Sequence, residues 1–154
     1  MIDLERFKSF FSHYNSWLWD FIDFWKWKLE IETDGKHILD DNFREKTFRK
    51  LSFILPRWQT YRPFSSSQCL RILKNSLERV SDAYSTIKGY SLLEFNEIPD
   101  EPLELIWHEL GRTKEEHGNK NHGGWYYTVA VCKPLMLLWG QTLAYDSIVR
   151  ENVP

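Results

Sequence analysis

Leu4, Phe7, Phe11, Tyr14, Leu18, Phe21, Trp25 and Leu29 recur at alternating three- and four-residue steps, the spacing of one face of an α-helix. Glu5, Ser9, Ser12, Ser16, Asp20, Asp23 and Glu30 fall on the opposite side, so the pattern predicts an amphipathic helix from Ile2 to Ile31. Two rings break this division. At about 100° per residue, Trp27 lands inside the polar stripe and Trp19 at its border beside Lys26. Each is a candidate either for coverage by another helix or for a partner surface.

Thr33-Asp34-Gly35 has turn chemistry, and Asp40 or Asp41 is placed to cap a second helix reaching Leu55 and ended by Pro56. Phe43, Thr47, Leu51, Ile54 and Leu55 form its predicted buried side. After the break at Tyr61-Arg62-Pro63-Phe64, Ser65 or Ser66 can cap a third helix whose apolar face is Leu70, Leu73, Leu77, Val80, Tyr84 and Ile87, terminated by Gly89. Ser91 and Glu94 have capping-box spacing before a short element. Ile98-Pro99-Asp100-Glu101-Pro102 then introduces a helix carrying Leu103, Ile106, Trp107 and Leu110, stopped by Gly111.

From Arg112 to Gly124 the apolar periodicity disappears, which predicts a polar loop. Trp125 to Val131 is aromatic and β-branched, but no second convincing strand exists to pair with it, so a buried helix is expected. Pro134 starts or kinks the helix carrying Leu135 to Trp139. The predicted fold class is all-α: one domain over residues 1–154, a bundle of five or six helices. Leu4, Phe11, Leu18, Phe21, Trp25, Leu51, Leu73, Leu77, Val80, Met136 and Leu137 are expected to share its core.

A chain of 154 residues is long enough to bury such a core without disulfides or a structural metal. Its 16% aromatic content, with eight Trp, exceeds what a Leu- and Ala-based helical core needs, which directs some rings toward a ligand or partner. Cys69 and Cys132 sit among apolar neighbours and are expected to be buried thiols, which suits a reducing cytoplasm. The N-terminus lacks the basic start and apolar run of a secretory signal, and no segment has the charge-free length of a membrane span, so no membrane partner is expected.

A net charge of -2 excludes a wholly basic nucleic-acid binder, yet the charge is unevenly distributed. Between Phe43 and Arg62 the chain carries Arg44, Lys46, Arg49, Lys50, Arg57 and Arg62 against Glu45 alone, with Trp58 and Tyr61 interleaved. Cations beside rings suit a nucleic-acid strand, combining phosphate neutralisation with base stacking, and Arg49, Arg57, Trp58 and Arg62 are the candidate binding residues. The plainer reading is a solvated helix face compensated by Glu94, Glu97, Asp100, Glu101 and Glu104, in the same chain or in a second copy. His108, Glu109, His117 and His122 are ligand-type residues whose spacing matches no metal motif, and no cofactor motif is present.

The C-terminal part holds a lysine and an aspartate in apolar surroundings, Lys133 before Leu135 and Met136, and Tyr145-Asp146-Ser147 before Val149 and Arg150. Asp146 is placed to cap a final helix, with Lys133 as its partner, and His122 and Tyr145 are expected to complete one polar cluster. The same pattern resembles that of small helical proteins with a Lys and a later Tyr-Asp-Ser, and more distantly that of helix-hairpin-helix DNA glycosylases. That resemblance spans fewer than 30 residues, and the glycine-rich hairpin of those enzymes has no counterpart immediately before Lys133. It implies catalytic roles for Lys133 and Asp146. Three readings follow: a binding module for nucleic acid or protein, a glycosylase-like enzyme, and a structural homo-oligomer.

Overall fold

The computed structural model describes residues 17–58, 60, 67–115 and 125–141, with side chains for 19–58, 60, 69–112 and 128–141. Six α-helices and one 3-10 helix make up the described elements: α1 (Trp17–Thr33), α2 (Asp41–Arg57), α3 (Ser67–Arg79), α4 (Ser81–Ile87), η1 (Leu92–Glu97), α5 (Asp100–Glu115) and α6 (Trp125–Trp139). No strand occurs among the described residues, and the all-α expectation holds. None of the described helices is long and apolar enough to cross a membrane. The helices α3 and α6 each pack on both α2 and α5; α1 lies on α2, and α4 on α5.

Helical spacing in the sequence carries over into burial. On α2 the buried residues are Thr47, Leu51, Ile54 and Leu55. On α3 and α4 they are Cys69, Ile72, Leu73, Ser76, Leu77, Val80, Ala83, Tyr84 and Ile87. The single predicted helix to Ile87 is divided at Val80, but Val80 N donates to Ser76 O at 3.0 Å and Tyr84 N to Val80 O at 2.8 Å. The hydrogen-bond ladder crosses the division, and the apolar stripe stays in phase. Of the expected core, Leu51, Leu73, Leu77, Val80 and Leu137 are buried, while Phe21, Trp25 and Met136 are half-buried. Leu4 and Phe11, and the Leu18 side chain, lie outside what is described.

The face of α1 differs from the predicted one. Phe24, Trp27, Lys28 and Ile31 are buried, whereas Leu29 is exposed. This face packs on α2, and charged residues lie at the edge of the seam: Asp20 pairs with Arg57 and Asp23 with Lys50. Trp27 turns under the Lys46 and Lys50 ammonium groups, whose nitrogens stand 5.1 and 5.6 Å from its ring centroid. Trp19 stays 65% exposed. A fully buried Phe such as Phe24 contributes roughly 1.5–3 kcal/mol of transfer free energy, enough to outweigh the choice of phase suggested by Leu29.

Two predicted helix ends also move, and the start considered at Pro134 lies inside a longer helix. Pro56 lies inside α2, which continues to Arg57, and Trp58 N donates to Ile54 O at 2.9 Å. Proline forgoes the one bond that an N–H at this position would give to Ser52 O, and the ladder resumes at Trp58 N, so the helix passes through it before ending. Gly111 is buried within α5, which runs on to Glu115 because its neighbours α3, α4 and α6 supply the packing that offsets a glycine in the interior. Pro134 sits inside α6, a single helix from Trp125 to Trp139. Asp40 occupies the N-cap position of α2 but makes no capping bond; its carboxylate accepts from His37 N at 2.9 Å and pairs with His37 Nε2 at 2.7 Å. Glu94 accepts from both N and Oγ of Ser91 at 2.8 Å, and these bonds hold its carboxyl below the usual range.

Two polar features tie distant elements together. The Tyr84 hydroxyl lies 2.6 Å from Glu32 Oε1 and 2.8 Å from the Leu138 carbonyl oxygen, so its single proton is shared between α1 and α6. Burial, and then the adjacent Glu32 carboxylate, push its phenol well above the ordinary value. Glu32 also pairs with Lys28, a lysine only 5% exposed whose nitrogen stands 5.3 Å from the Trp25 ring centroid. At the end of α6, Gly140 takes φ +82° and donates its N–H to Met136 O at 2.9 Å. A Cβ there would stand 2.5 Å from the Trp25 ring, so the site demands both a left-handed backbone and no side chain.

Candidate functional site

Arg49, Phe53 and Arg57 lie four residues apart on α2 and form one stripe along the helix. Phe53 is 51% exposed, and the Arg57 guanidinium carbon stands 3.4 Å from its ring centroid. Arg49 is open to solvent, its Nε 3.4 Å from Glu45 Oε1, while Glu45 Oε2 meets Lys74 of α3 at 2.6 Å. The Lys74 ammonium, helped by Arg49, holds the Glu45 carboxyl below its usual range. Arg57 reaches Asp20 of α1 at 2.8 Å. Lys50 similarly lowers the Asp23 carboxyl through a hydrogen bond and its charge.

Four cations of this run, Arg44, Arg49, Lys50 and Arg57, are therefore paired within the chain, and not with the acidic group expected from the sequence. Asp20 and Asp23 of α1 and Asp41 and Glu45 of α2 serve the cations of α2, rather than the group from Glu94 to Glu104. Exposed ion pairs of this kind contribute little to stability and exchange partners readily, because water screens both charges.

Trp58 has a different position from Arg49 and Arg57. It is half-buried, edge-on to Phe21 with centroids 5.7 Å apart and planes at 88°. Lys133 Nζ stands 4.9 Å from its ring centroid and donates to the Trp58 carbonyl oxygen at 2.7 Å. The structure thus joins the predicted catalytic lysine to a predicted binding residue: Lys133, 5% exposed on α6, satisfies a carbonyl just past the end of α2. Arg62, His122, Tyr145 and Asp146 lie outside the described residues, and with them the rest of the polar cluster expected around Lys133. His117 lies there too; among the described residues no group of three His, Cys, Asp or Glu is placed to hold a metal ion.

Cys69 is buried and Cys132 half-buried, and they are not joined by a disulfide. Phe53, exposed and under the Arg57 guanidinium, is a residue that the pattern of charges does not single out. Its signal is the four-residue spacing from Arg49 and to Arg57, but Phe53 sits beside the apolar positions Leu51, Ile54 and Leu55 and is easily absorbed into a core stripe. Comparison of the chain with protein-family models, with curated proteins and with solved structures finds no match.

Proposed function

We propose that the protein is a helical binding module that associates with single-stranded nucleic acid along the exposed stripe of α2. The observation that supports this reading is the half-exposed Phe53 ring with the Arg57 guanidinium against it and Arg49 one turn away. A base stacks on the open part of the ring, and flanking phosphates replace Glu45 and Asp20 as partners of the two arginines. Lys133 enters as a positioning residue, because its bond to the Trp58 carbonyl fixes the end of α2 that carries Arg57.

Two phosphate contacts give a shallow salt dependence, with a slope of log K against log salt of about -1.4 for a single strand. Fluorescence anisotropy with labelled single-stranded DNA and RNA at low salt tests the reading. Phe53→Ala removes one stacked base, worth about 1–3 kcal/mol. Replacing Arg49 and Arg57 by Ala flattens the salt slope. Absence of binding at low salt, or unchanged affinity in Phe53→Ala, refutes the proposal.

A further inference from the structure

A second cationic feature lies elsewhere, between α3 and α5. Arg71, Asn75 and Arg79 follow one another at four-residue steps along α3, and together with Ile72 and Arg112 of α5 they line a cleft of about 300 Å³. The wall is held firmly. Buried Ser76 donates to the Glu109 carbonyl oxygen at 2.7 Å, fastening α3 to α5 directly beside the cleft, and Ile72 is 6% exposed. The position of the guanidiniums is set by one carboxylate: Glu109 Oε1 lies 3.3 Å from Arg79 Nη1 and Glu109 Oε2 lies 3.1 Å from Arg112 Nη1.

Glu109 has its side chain only 14% exposed, so it is a covered bracket rather than a surface counter-ion. Arg71 makes no ion pair among the described residues. Among the described residues that line the cleft, Arg79 and Arg112 share the Glu109 carboxylate and Arg71 has no carboxylate of its own, and a guanidinium does not relieve its charge by losing a proton. Each guanidinium offers five N–H donors in a planar fork, and Arg79 spends Nη1 on Glu109. Asn75 adds an uncharged amide to the same wall.

We propose that this cleft binds a phosphate monoester, its oxygens accepting from the guanidiniums of Arg71 and Arg79 on either side of Asn75. A carboxylate supplies one charge and two oxygens in a plane, whereas a phosphate monoester supplies up to two charges and three terminal oxygens in a tetrahedron, which suits two guanidinium forks set about two helical turns apart. The volume admits a small organic group on the phosphate, the size of the lesser ligand pockets in proteins. This site is separate from the stripe on α2 and does not depend on it.

Isothermal titration at low ionic strength with inorganic phosphate, adenosine 5′-monophosphate and adenosine separates the possibilities. Saturable binding of phosphate and of the monophosphate, with none of adenosine, is the expected result. Whichever of the two phosphates binds tighter, the shared group is the phosphate; tighter binding of the nucleotide adds a contribution from its organic part. Arg71→Gln, at a residue with no ion pair to lose, raises both dissociation constants at least tenfold while the melting temperature of the unliganded protein stays unchanged. Arg79→Gln does the same to binding, and Arg49→Gln on α2 leaves it unaltered. No saturable binding at millimolar phosphate, adenosine binding as tightly as its monophosphate, or parental affinity in Arg71→Gln overturns the proposal.

Discussion

Gly35 and Gly140 adopt nearly the same left-handed backbone, with φ of +75° and +82°, but in different surroundings. A Cβ at Gly35 would meet nothing within 4 Å; at Gly140 it would stand 2.5 and 3.2 Å from two carbons of the Trp25 ring. Alanine at either position carries the conformational cost of the left-handed region, roughly 1–2 kcal/mol, reduced by about 0.4–1 kcal/mol because alanine also restricts the unfolded chain. Gly35→Ala is thus expected to destabilise by about 1 kcal/mol. Gly140→Ala adds overpacking of a half-buried indole, typically 1–3 kcal/mol, for a total of about 2–4 kcal/mol. At roughly 3 °C per kcal/mol for a domain of this size, the melting temperature falls by about 3 °C in the first case and about 6–12 °C in the second. Urea denaturation followed by far-ultraviolet circular dichroism, with equal slopes in both variants, measures the difference. Trp25→Phe removes the part of the ring that Gly140 faces, so in that background the gap between the two alanine variants should narrow by about 1 kcal/mol or more. Equal losses in Gly35→Ala and Gly140→Ala would refute the close approach of α1 to the end of α6.

His37 provides a pH test. Burial lowers its pKa from the ordinary 6.5, outweighing the pull of Asp40 in the other direction, and its Nδ1 is buried with no hydrogen-bond partner among the described residues. The folded form therefore binds its proton less readily than the unfolded form, and the stabilisation is full above pH 6.5 and lost as the pH falls below it toward the folded value. His37→Gln should flatten the fall in melting temperature over that window; an unchanged profile contradicts the assignment. Lys133→Met should cost about 1.5–3 kcal/mol, since it removes a charge-assisted bond to the Trp58 carbonyl while keeping much of the stem. An unchanged melting temperature in a thermal scan counts against a positioning role for Lys133.

Where one helix face meets a single apolar core, local spacing in the sequence is sufficient to locate it: Leu51, Ile54 and Leu55, then Leu73, Leu77, Val80, Tyr84 and Ile87, are legible from their periodicity alone. The spacing misleads on α1 because its buried face, Phe24, Trp27 and Ile31, is decided by packing against elements distant in sequence, which local periodicity does not contain. Gly111 carries a stop signal that depends on isolated-helix energetics, and tertiary packing overrides it. Arg49 and Arg57 are recognisable as a basic stripe from the sequence, but the inward turn of Trp58 is not, since it depends on Phe21 and Lys133. The arginine cleft is hidden for the same reason: if Gly111 ended its helix, Arg112 would fall in a loop rather than beside Arg79.

The Tyr84 hydroxyl has a consequence for the order in which the chain folds. Its two acceptors are 52 and 54 positions away in opposite directions along the sequence, so both loops must close before the oxygen meets Glu32 and Leu138 together. A contact requiring two such closures belongs to the native side of the transition barrier. Its loss is expected to speed unfolding while leaving the folding rate nearly untouched, which the two limbs of a chevron separate. That single oxygen acts as a latch: it governs how long the bundle stays closed rather than how fast it forms.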